Sequence, residues 1–134
     1  MTWEARHLAQ SIERDPGEVA AFAGAYENLP RWAGGLSAGI RRDGDRWITD
    51  SPMGAVGVRF TGPVELGILD HDVTLPDGTV VHNPLRVLRN DAGAEVVFTL
   101  YRLPRTTDEA FEQDAAHVRA DLARLRDVLE SARR

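Results

Sequence analysis

The sequence predicts an α+β fold of a single domain, residues 1–134, in which an antiparallel sheet packs against a long C-terminal helix. Residues 36–103 contain repeated turn signals between short stretches rich in Val, Ile, Thr and aromatic residues, which is typical of an antiparallel meander. Residues 107–132 instead carry apolar side chains at helical spacing. A helix with one apolar stripe must cover an apolar surface, and the sheet is the obvious partner.

The C-terminal helix is predicted from its cap, its charges and its stripe. Thr106 or Thr107 can cap it, and Thr106 has capping-box spacing to Glu109. Acidic residues gather at its start and arginines, including Arg133 and Arg134, at its end, which suits the helix dipole. The stripe steps by three or four residues through Phe111, Ala115, Val118, Leu122, Leu125 and Leu129.

The residues before the meander predict one strand and one or two short helices. Residues 3–12 can form the strand. Asp15 can cap a helix that begins at Pro16, and Glu18 can return a capping-box bond. Pro30 interrupts the helical spacing that follows, so a single long helix is not expected.

The meander predicts about six strands. Val56, Val58 and Phe60 alternate with small or polar residues, as in a half-buried antiparallel strand. Residues 96–101 also alternate, with apolar side chains on both faces. The turns are expected at Asp43-Gly44, Ser51-Pro52-Met53-Gly54, Gly62-Pro63, Pro76-Asp77-Gly78 and Asn90-Asp91-Ala92-Gly93. A long helix held by a curved sheet cannot fill the concavity, which leaves room for a small-molecule cavity.

Composition excludes several chemistries. The chain has no cysteine, and its 16 basic residues are all arginine, which removes thiol nucleophiles, disulfides, thiolate zinc sites and lysine Schiff bases. A net charge of −5 argues against a sequence-independent nucleic-acid binder and against binding to anionic membranes.

The sequence favours a cytoplasmic protein. Its longest apolar runs are far shorter than the about 20 residues that a membrane span needs. Glu4, Arg6 and His7 stand where a secretion signal requires an apolar run. The pattern permits a homodimer through an edge strand without requiring one.

Several segments, spread over residues 9–131, carry a resemblance to a known family. They are Asp15–Phe22, Asn28–Ala33, Gly67–Val73, Arg86–Asn90, Gly93–Leu100 and Asp121–Leu125. On these segments the chain resembles a small bacterial member of the START/Bet v 1-like superfamily, also called SRPBCC or polyketide cyclase/dehydrase-like. The resemblance implies the helix-grip fold, a curved antiparallel sheet around a long C-terminal helix with two short helices after the first strand. It implies lipid or polyketide binding, cyclisation or protein–protein roles, and no motif selects one of them.

The densest ionisable cluster is Asp70-His71-Asp72. Strand alternation places His71 on one face with Leu69 and Val73, and both aspartates on the other. A desolvated imidazole is mostly neutral near pH 7 and can accept a proton or orient a ligand carbonyl. The alternative is a core histidine whose ring bonds a backbone carbonyl.

The leading hypothesis is that a hydrophobic small molecule binds between the sheet and the C-terminal helix. The expected lining residues are Trp32, Phe60, His71, Phe98, Tyr101 and Phe111. A second hypothesis is a polyketide cyclase or aromatase in which His71 or Asp70 removes a proton and Tyr or Arg donors stabilise the enolate. A third is a protein–protein interaction module.

Metal and cofactor sites are not expected. His82 follows the Pro76-Asp77-Gly78 turn, so it can approach His71 across a hairpin, and a two-histidine site stays open. No third ligand is identifiable, so we expect no metal ion and no cofactor. The arginines within predicted strands are expected to face solvent: Arg59, Arg86 and Arg102.

Overall fold

Eight strands and three α-helices form the parts of the chain that the computed structural model describes, residues 1–36, 39–51 and 54–131. The strands are β1 (Ala5–Ile12), β2 (Arg41–Asp43), β3 (Arg46–Ser51), β4 (Gly54–Phe60), β5 (His71–Thr74), β6 (Val80–Asn83), β7 (Leu85–Asn90) and β8 (Gly93–Tyr101). The helices are α1 (Pro16–Ala23), α2 (Leu29–Trp32) and α3 (Asp108–Ser131). The predicted α+β class, with a curved antiparallel sheet and a long C-terminal helix, is confirmed. Within the described residues, no helix has the length and apolarity needed to cross a membrane.

Parts of two predictions fall outside the described residues. Pro52 and Met53 belong to the turn expected between β3 and β4, and Arg133 and Arg134 belong to the basic end of α3. The outcomes that follow concern the other elements.

The start of α1 follows the sequence prediction. Asp15 Oδ2 accepts a hydrogen bond from the backbone N–H of Gly17 at 2.9 Å, and Pro16 occupies the first turn. Glu18 Oε1 accepts a bond from Arg14 Nε at 3.4 Å, a partner that the capping-box spacing did not suggest. After α1 the chain starts again as α2, with Pro30 in its first turn.

Helix α3 buries the predicted stripe. Thr107 caps it, because its Oγ1 accepts a hydrogen bond from Ala110 N at 3.1 Å, so the cap lies at the second of the two expected threonines. Val118 is partly buried. The fully buried members of the stripe are Phe111, Ala115, Leu122, Leu125 and Leu129. Each buried leucine stabilises the fold by about 1.5–3 kcal/mol relative to an exposed one.

The buried core lies mainly at one end of the sheet. Strands β1, β7 and β8 contribute residues such as Ile12 and Val96, and α1 covers them with Val19. The C-terminal half of α3 completes this cluster with Leu125 and Leu129. The strands from β2 to β6 contribute less to this cluster, with Val58 of β4 as the main member.

The sheet consists of two antiparallel ladders joined through β6 and β7. One ladder has the order β1-β8-β7 and the other β2-β3-β4-β5-β6. Between β6 and β7 stands Pro84, which has no N–H to donate to a ladder. The pairing nevertheless continues past it, because Leu69 N donates to Leu85 O at 2.8 Å and Val87 N donates to Gly67 O at 2.9 Å.

A carboxylate takes the place of a backbone acceptor just after Pro84. In a regular hydrogen-bonded antiparallel pair, Leu69 and Leu85 would exchange two N–H···O=C bonds. Here the buried N–H of Leu85 donates to Asp70 Oδ1 at 2.9 Å. Arg86 then grips the same carboxylate with two bonds, Nε to Oδ1 at 2.9 Å and Nη2 to Oδ2 at 2.8 Å. Asp70 is therefore a structural residue that secures the junction of the ladders.

The substitution Asp70→Ala should lower the free energy of unfolding by about 1–3 kcal/mol, because it leaves the buried N–H of Leu85 without an acceptor. Asp70→Asn keeps a side-chain oxygen for that N–H and should cost less. Urea denaturation of both variants measures the difference. Equal losses would show that the charge, rather than the acceptor, is what the junction needs.

Stability should also depend on the ionisation of Asp70. The bidentate bonds from Arg86, and then the bond from Leu85 N, hold the pKa of Asp70 below its ordinary value of 3.8, although burial raises it. A carboxyl whose pKa is lower in the folded than in the unfolded state contributes stability above the unfolded value, which is lost as the pH falls through the folded value. The stability gap between the native chain and Asp70→Asn should stay constant above about pH 5 and shrink as the pH falls below 3.8. A gap that is independent of pH would contradict this.

Candidate functional site

A cavity of about 340 Å³ lies between the concave face of the sheet and helices α2 and α3. The sheet side combines three valines with larger side chains such as Phe60 and Phe98, and the helix side presents residues of α2 and α3, among them Val118 and Asp121. These side chains leave the space between them unfilled. The apolar lining includes Leu29, Val56, Val58, Val73, Leu75 and Leu85.

Strand register places His71 on this concave face. In β4 and β5, Phe60 lies opposite His71 and Val58 lies opposite Val73. Cross-strand partners in an antiparallel pair share a face, so these four side chains point the same way. Asp72 points to the other face, as the alternation in the sequence predicted.

One ring nitrogen of His71 has a hydrogen-bond partner, and the other has none among the described residues. Nδ1 lies 3.0 Å from the carbonyl oxygen of Leu69. A carbonyl can only accept, so this bond assigns the proton to Nδ1 and leaves Nε2 as an acceptor. The ring also meets Phe60 and Phe98 edge-on, with centroid distances of 5.9 and 6.2 Å. Both sequence interpretations of His71 therefore hold together: its ring bonds a backbone carbonyl, and it lines the cavity.

Burial sets the charge of His71. Desolvation lowers the pKa of its imidazole below the ordinary value of 6.5, against the opposing effect of the Leu69 carbonyl. The neutral form therefore predominates near pH 7, and its Nε2 can accept a proton or a hydrogen bond.

Other polar side chains of the lining are already engaged or lie near His71. Thr49 Oγ1 donates to the carbonyl of Gly39 at 2.6 Å. Asp121 Oδ1 accepts from Gly34 N and from Arg124 Nη1, each at 3.0 Å. The remaining amide, Asn83, is the cross-strand partner of His71.

Trp32 is held at the cavity by helix α3. Its carbonyl accepts a bond from Arg124 Nη1 at 2.7 Å, and the next turn, Gly34, is tied to Asp121. The side chain is only 5% exposed. Its Nε1 has no hydrogen-bond partner in the described part of the chain.

The structure brings four of the six expected lining residues together. These are Trp32, Phe60, His71 and Phe98. Tyr101 lies outside the lining and meets Trp3 edge-on at 6.2 Å. It is three residues from Phe98 on the same strand, an odd step that reverses the face.

Phe111 also lies outside the lining, in the core under two arginines. The guanidinium carbons of Arg6 and Arg102 stand 4.7 and 5.7 Å from its ring centroid. Phe111 precedes Val118 by seven residues, about 10 Å along the helix, so the one stripe serves the core at one level and the cavity at another.

Two further expectations need correction. The register of the β5–β6 hairpin puts Asn83, not His82, opposite His71. His82 instead bonds Asp72 on the other face, Nδ1 to Oδ1 at 2.6 Å, so the two histidines do not form a site. No group of three or more possible metal ligands occurs among the described residues. No Tyr or Arg lines the cavity there either, so the enolate donors expected of a cyclase are absent from this wall.

The three strand arginines that we expected to face solvent do so to different extents. Arg59 is exposed. Arg86 is exposed as a residue, yet its guanidinium is committed to Asp70. Arg102 is partly buried, and its Nε and Nη2 donate to the carbonyl of Thr106 at 3.0 and 2.8 Å.

Sequence reasoning missed Asn83, Val118 and Asp121 as lining residues. A hairpin centred on Asp77 already implies that Asn83 faces His71, because both stand six residues from the centre. Val118 was recognised as part of the stripe, but nothing in the sequence separates its level from that of Phe111.

No protein-family model matches the sequence, and no curated protein matches it. Solved structures do. Aha1 from Colwellia psychrerythraea, a dimer in solution, aligns with a TM-score of 0.73 at 16% identity over 95% of this chain and 96% of that chain. DynU16, from the dynemicin biosynthetic locus, aligns with a TM-score of 0.71 at 16% identity over 96% of this chain and 48% of that chain. Ara h 8.0201 aligns with a TM-score of 0.65 at 10% identity over 96% of this chain and 98% of that chain.

Identities this low establish the fold alone, and the activity has to be argued from the cavity. The matches span nearly the whole chain, from β1 to α3. The chain therefore has the START/Bet v 1-like helix-grip fold.

Proposed function

We propose that this chain binds a hydrophobic small molecule, lipid- or polyketide-like, in the cavity between the sheet and α3. The observation that carries this proposal is the 340 Å³ of unfilled space behind an almost wholly apolar wall. Ligand pockets in proteins are typically concave, apolar and about 300–1,000 Å³ in volume. An apolar ligand there would be removed from water at about 25 cal/mol per Å² of buried surface.

Packing energetics also support a ligand. Side chains that line an empty apolar cavity lose dispersion contacts, which costs stability. The cavity borders the core, because Leu29, Trp32 and Val58 belong to both. A ligand that fills the cavity restores those contacts, so it should also stabilise the folded chain.

The similar structures agree with this proposal at the level of the fold. Ara h 8.0201 and DynU16 share the helix-grip architecture, and DynU16 comes from a biosynthetic locus. The lining of this chain, rather than the likeness, is what selects an apolar ligand.

The substitution Val73→Phe should abolish binding by filling the cavity. Val73 lies in its wall, so a phenyl ring there would occupy the space of a ligand. We expect the affinity for the neutral fluorescent probe N-phenylnaphthylamine to fall by about tenfold or more, which corresponds to the loss of about 1.4 kcal/mol. Fluorescence titration measures this, and circular dichroism verifies the fold.

Val80→Phe is the matched control. It makes the same change in the same hairpin, but Val80 lies opposite Thr74 on the other face and is 57% exposed. Probe affinity should stay within about twofold of the native value, as for most surface changes. Equal losses in the two variants, or no probe binding by the native chain, would refute ligand binding in this cavity.

The neutral imidazole of His71 favours a second candidate, a polyketide cyclase or aromatase. Its Nε2 can take a proton from a methylene group between two ketones of a bound poly-β-ketone. The carbanion attacks another carbonyl of the same molecule, and the alkoxide so formed takes the proton back from His71 to give a β-hydroxy ketone. Loss of the remaining α-proton and of the hydroxyl group then eliminates water. The lining donor for the enolate oxygen is the side-chain amide of Asn83.

Turnover of an activated poly-β-ketone tests this candidate. His71→Phe removes the base but keeps an aromatic ring between Phe60 and Phe98. General-base catalysis contributes about 10²–10⁴-fold, so the rate should fall by that factor while the affinity for N-phenylnaphthylamine is retained. An unchanged rate would remove the cyclase and leave the binding function in place.

A further inference from the structure

Some polar atoms that line the cavity already have hydrogen-bond partners within the protein, and others do not. Thr49 and Asp121 have partners within the chain, at 2.6 and 3.0 Å. His71 is satisfied only at Nδ1. Trp32 has no partner for its Nε1–H within the described residues. The cavity therefore offers an acceptor at His71 Nε2, beside the side-chain amide of Asn83, in an otherwise apolar wall.

The unused acceptor is Nε2 of His71. The main chain fixes the tautomer, because the Leu69 carbonyl requires the proton on Nδ1. Phe60 and Phe98 flank the ring and offer it no donor. An apolar ligand that covers Nε2 removes this acceptor from water, so a ligand that donates to Nε2 gains over one that does not.

The indole N–H of Trp32 also lacks a partner among the described residues, but its Nε1 has almost no accessible surface, toward the cavity or toward solvent. The side chains of Arg124 and Asp121 bond the backbone of Trp32 and Gly34 and hold this segment against α3. His71 Nε2 is therefore the group that a ligand can reach.

Charge excludes one large class of apolar ligands. None of the described lining residues is a lysine or an arginine, and the one acidic lining residue is Asp121. His71 is neutral near pH 7 because burial lowers its pKa. A fatty-acid carboxylate inside the cavity would thus have no cation among the described lining residues, because the nearby Arg124 is already paired with Asp121, and this is unfavourable.

We propose that the cavity is selective for a neutral ligand that carries a hydroxyl group, whose O–H donates to His71 Nε2. A hydroxyl supplies the donor that this acceptor needs, which an ether or a carboxylate does not. This inference rests on the proposed binding function and adds the chemical class of the ligand.

Three probes of one skeleton test the inference at pH 7: β-naphthol, β-methoxynaphthalene and β-naphthoate. The first can donate to Nε2, the second has the oxygen but no O–H, and the third is an anion. We expect β-naphthol to bind about tenfold more tightly than β-methoxynaphthalene, and β-naphthoate to bind most weakly. Calorimetric or fluorescence titration gives the three dissociation constants.

His71→Asn separates the two ring nitrogens. The asparagine amide can still donate to the Leu69 carbonyl from the position of Nδ1, but nothing replaces Nε2. The preference for β-naphthol should fall to within about twofold, while β-methoxynaphthalene binds as before.

The outcomes distinguish the inference from the function on which it rests. If no naphthalene probe binds, the binding function fails. If all bind but β-naphthol has no advantage, or β-naphthoate binds equally well, the hydroxyl inference fails alone. The native chain decides this point with the three probes even if His71→Asn does not fold. A preference that survives in a folded His71→Asn variant would also overturn the role of Nε2.

Discussion

The carboxylate of Asp70 replaces a backbone carbonyl at the junction of the two ladders, and the site depends on this exchange. Because Asp70 accepts the N–H of Leu85, the carbonyl of Leu69 is released from the ladder. That carbonyl then takes the proton-bearing nitrogen of His71. The replacement of the Leu69 carbonyl by the Asp70 carboxylate as the acceptor of Leu85 N–H thus joins the two ladders past Pro84. It also leaves the Leu69 carbonyl free to fix the tautomer of His71.

Helix α3 divides its apolar stripe between two tasks. Leucines toward its C-terminus complete the core with β1 and α1, while Val118 and Asp121 face the cavity. The cavity thus lies directly beside the packed core, and the two ends of α3 differ only in what they face. Among the polar groups of the lining, His71 has the ring nitrogen that no described residue occupies.

Local rules were enough to predict the elements and one face of the sheet. The Asp15 cap, the stripe of α3 and the inward position of His71 all follow from spacing within a few residues. Such local rules could not predict which residues far apart in the sequence come into contact. Tyr101 was assigned to the lining because the face of β8 was not counted from Phe98, and Phe111 because a stripe does not reveal which part of it meets the core. The bond between Asp70 and Leu85 joins residues 15 apart through the bend at Pro84, which no local pattern reports.

The anchor of the His71 ring has a consequence for how this chain can diverge. Its partner is a main-chain oxygen, which every amino acid possesses, so exchanges at position 69 that preserve the backbone leave the tautomer unaltered. The apolar side chains that line the cavity have no such protection, because each methyl group lost or gained changes the shape of the cavity. Descendants of this sequence would therefore be expected to vary in the size and shape of the cavity while keeping the His71 ring and its tautomer.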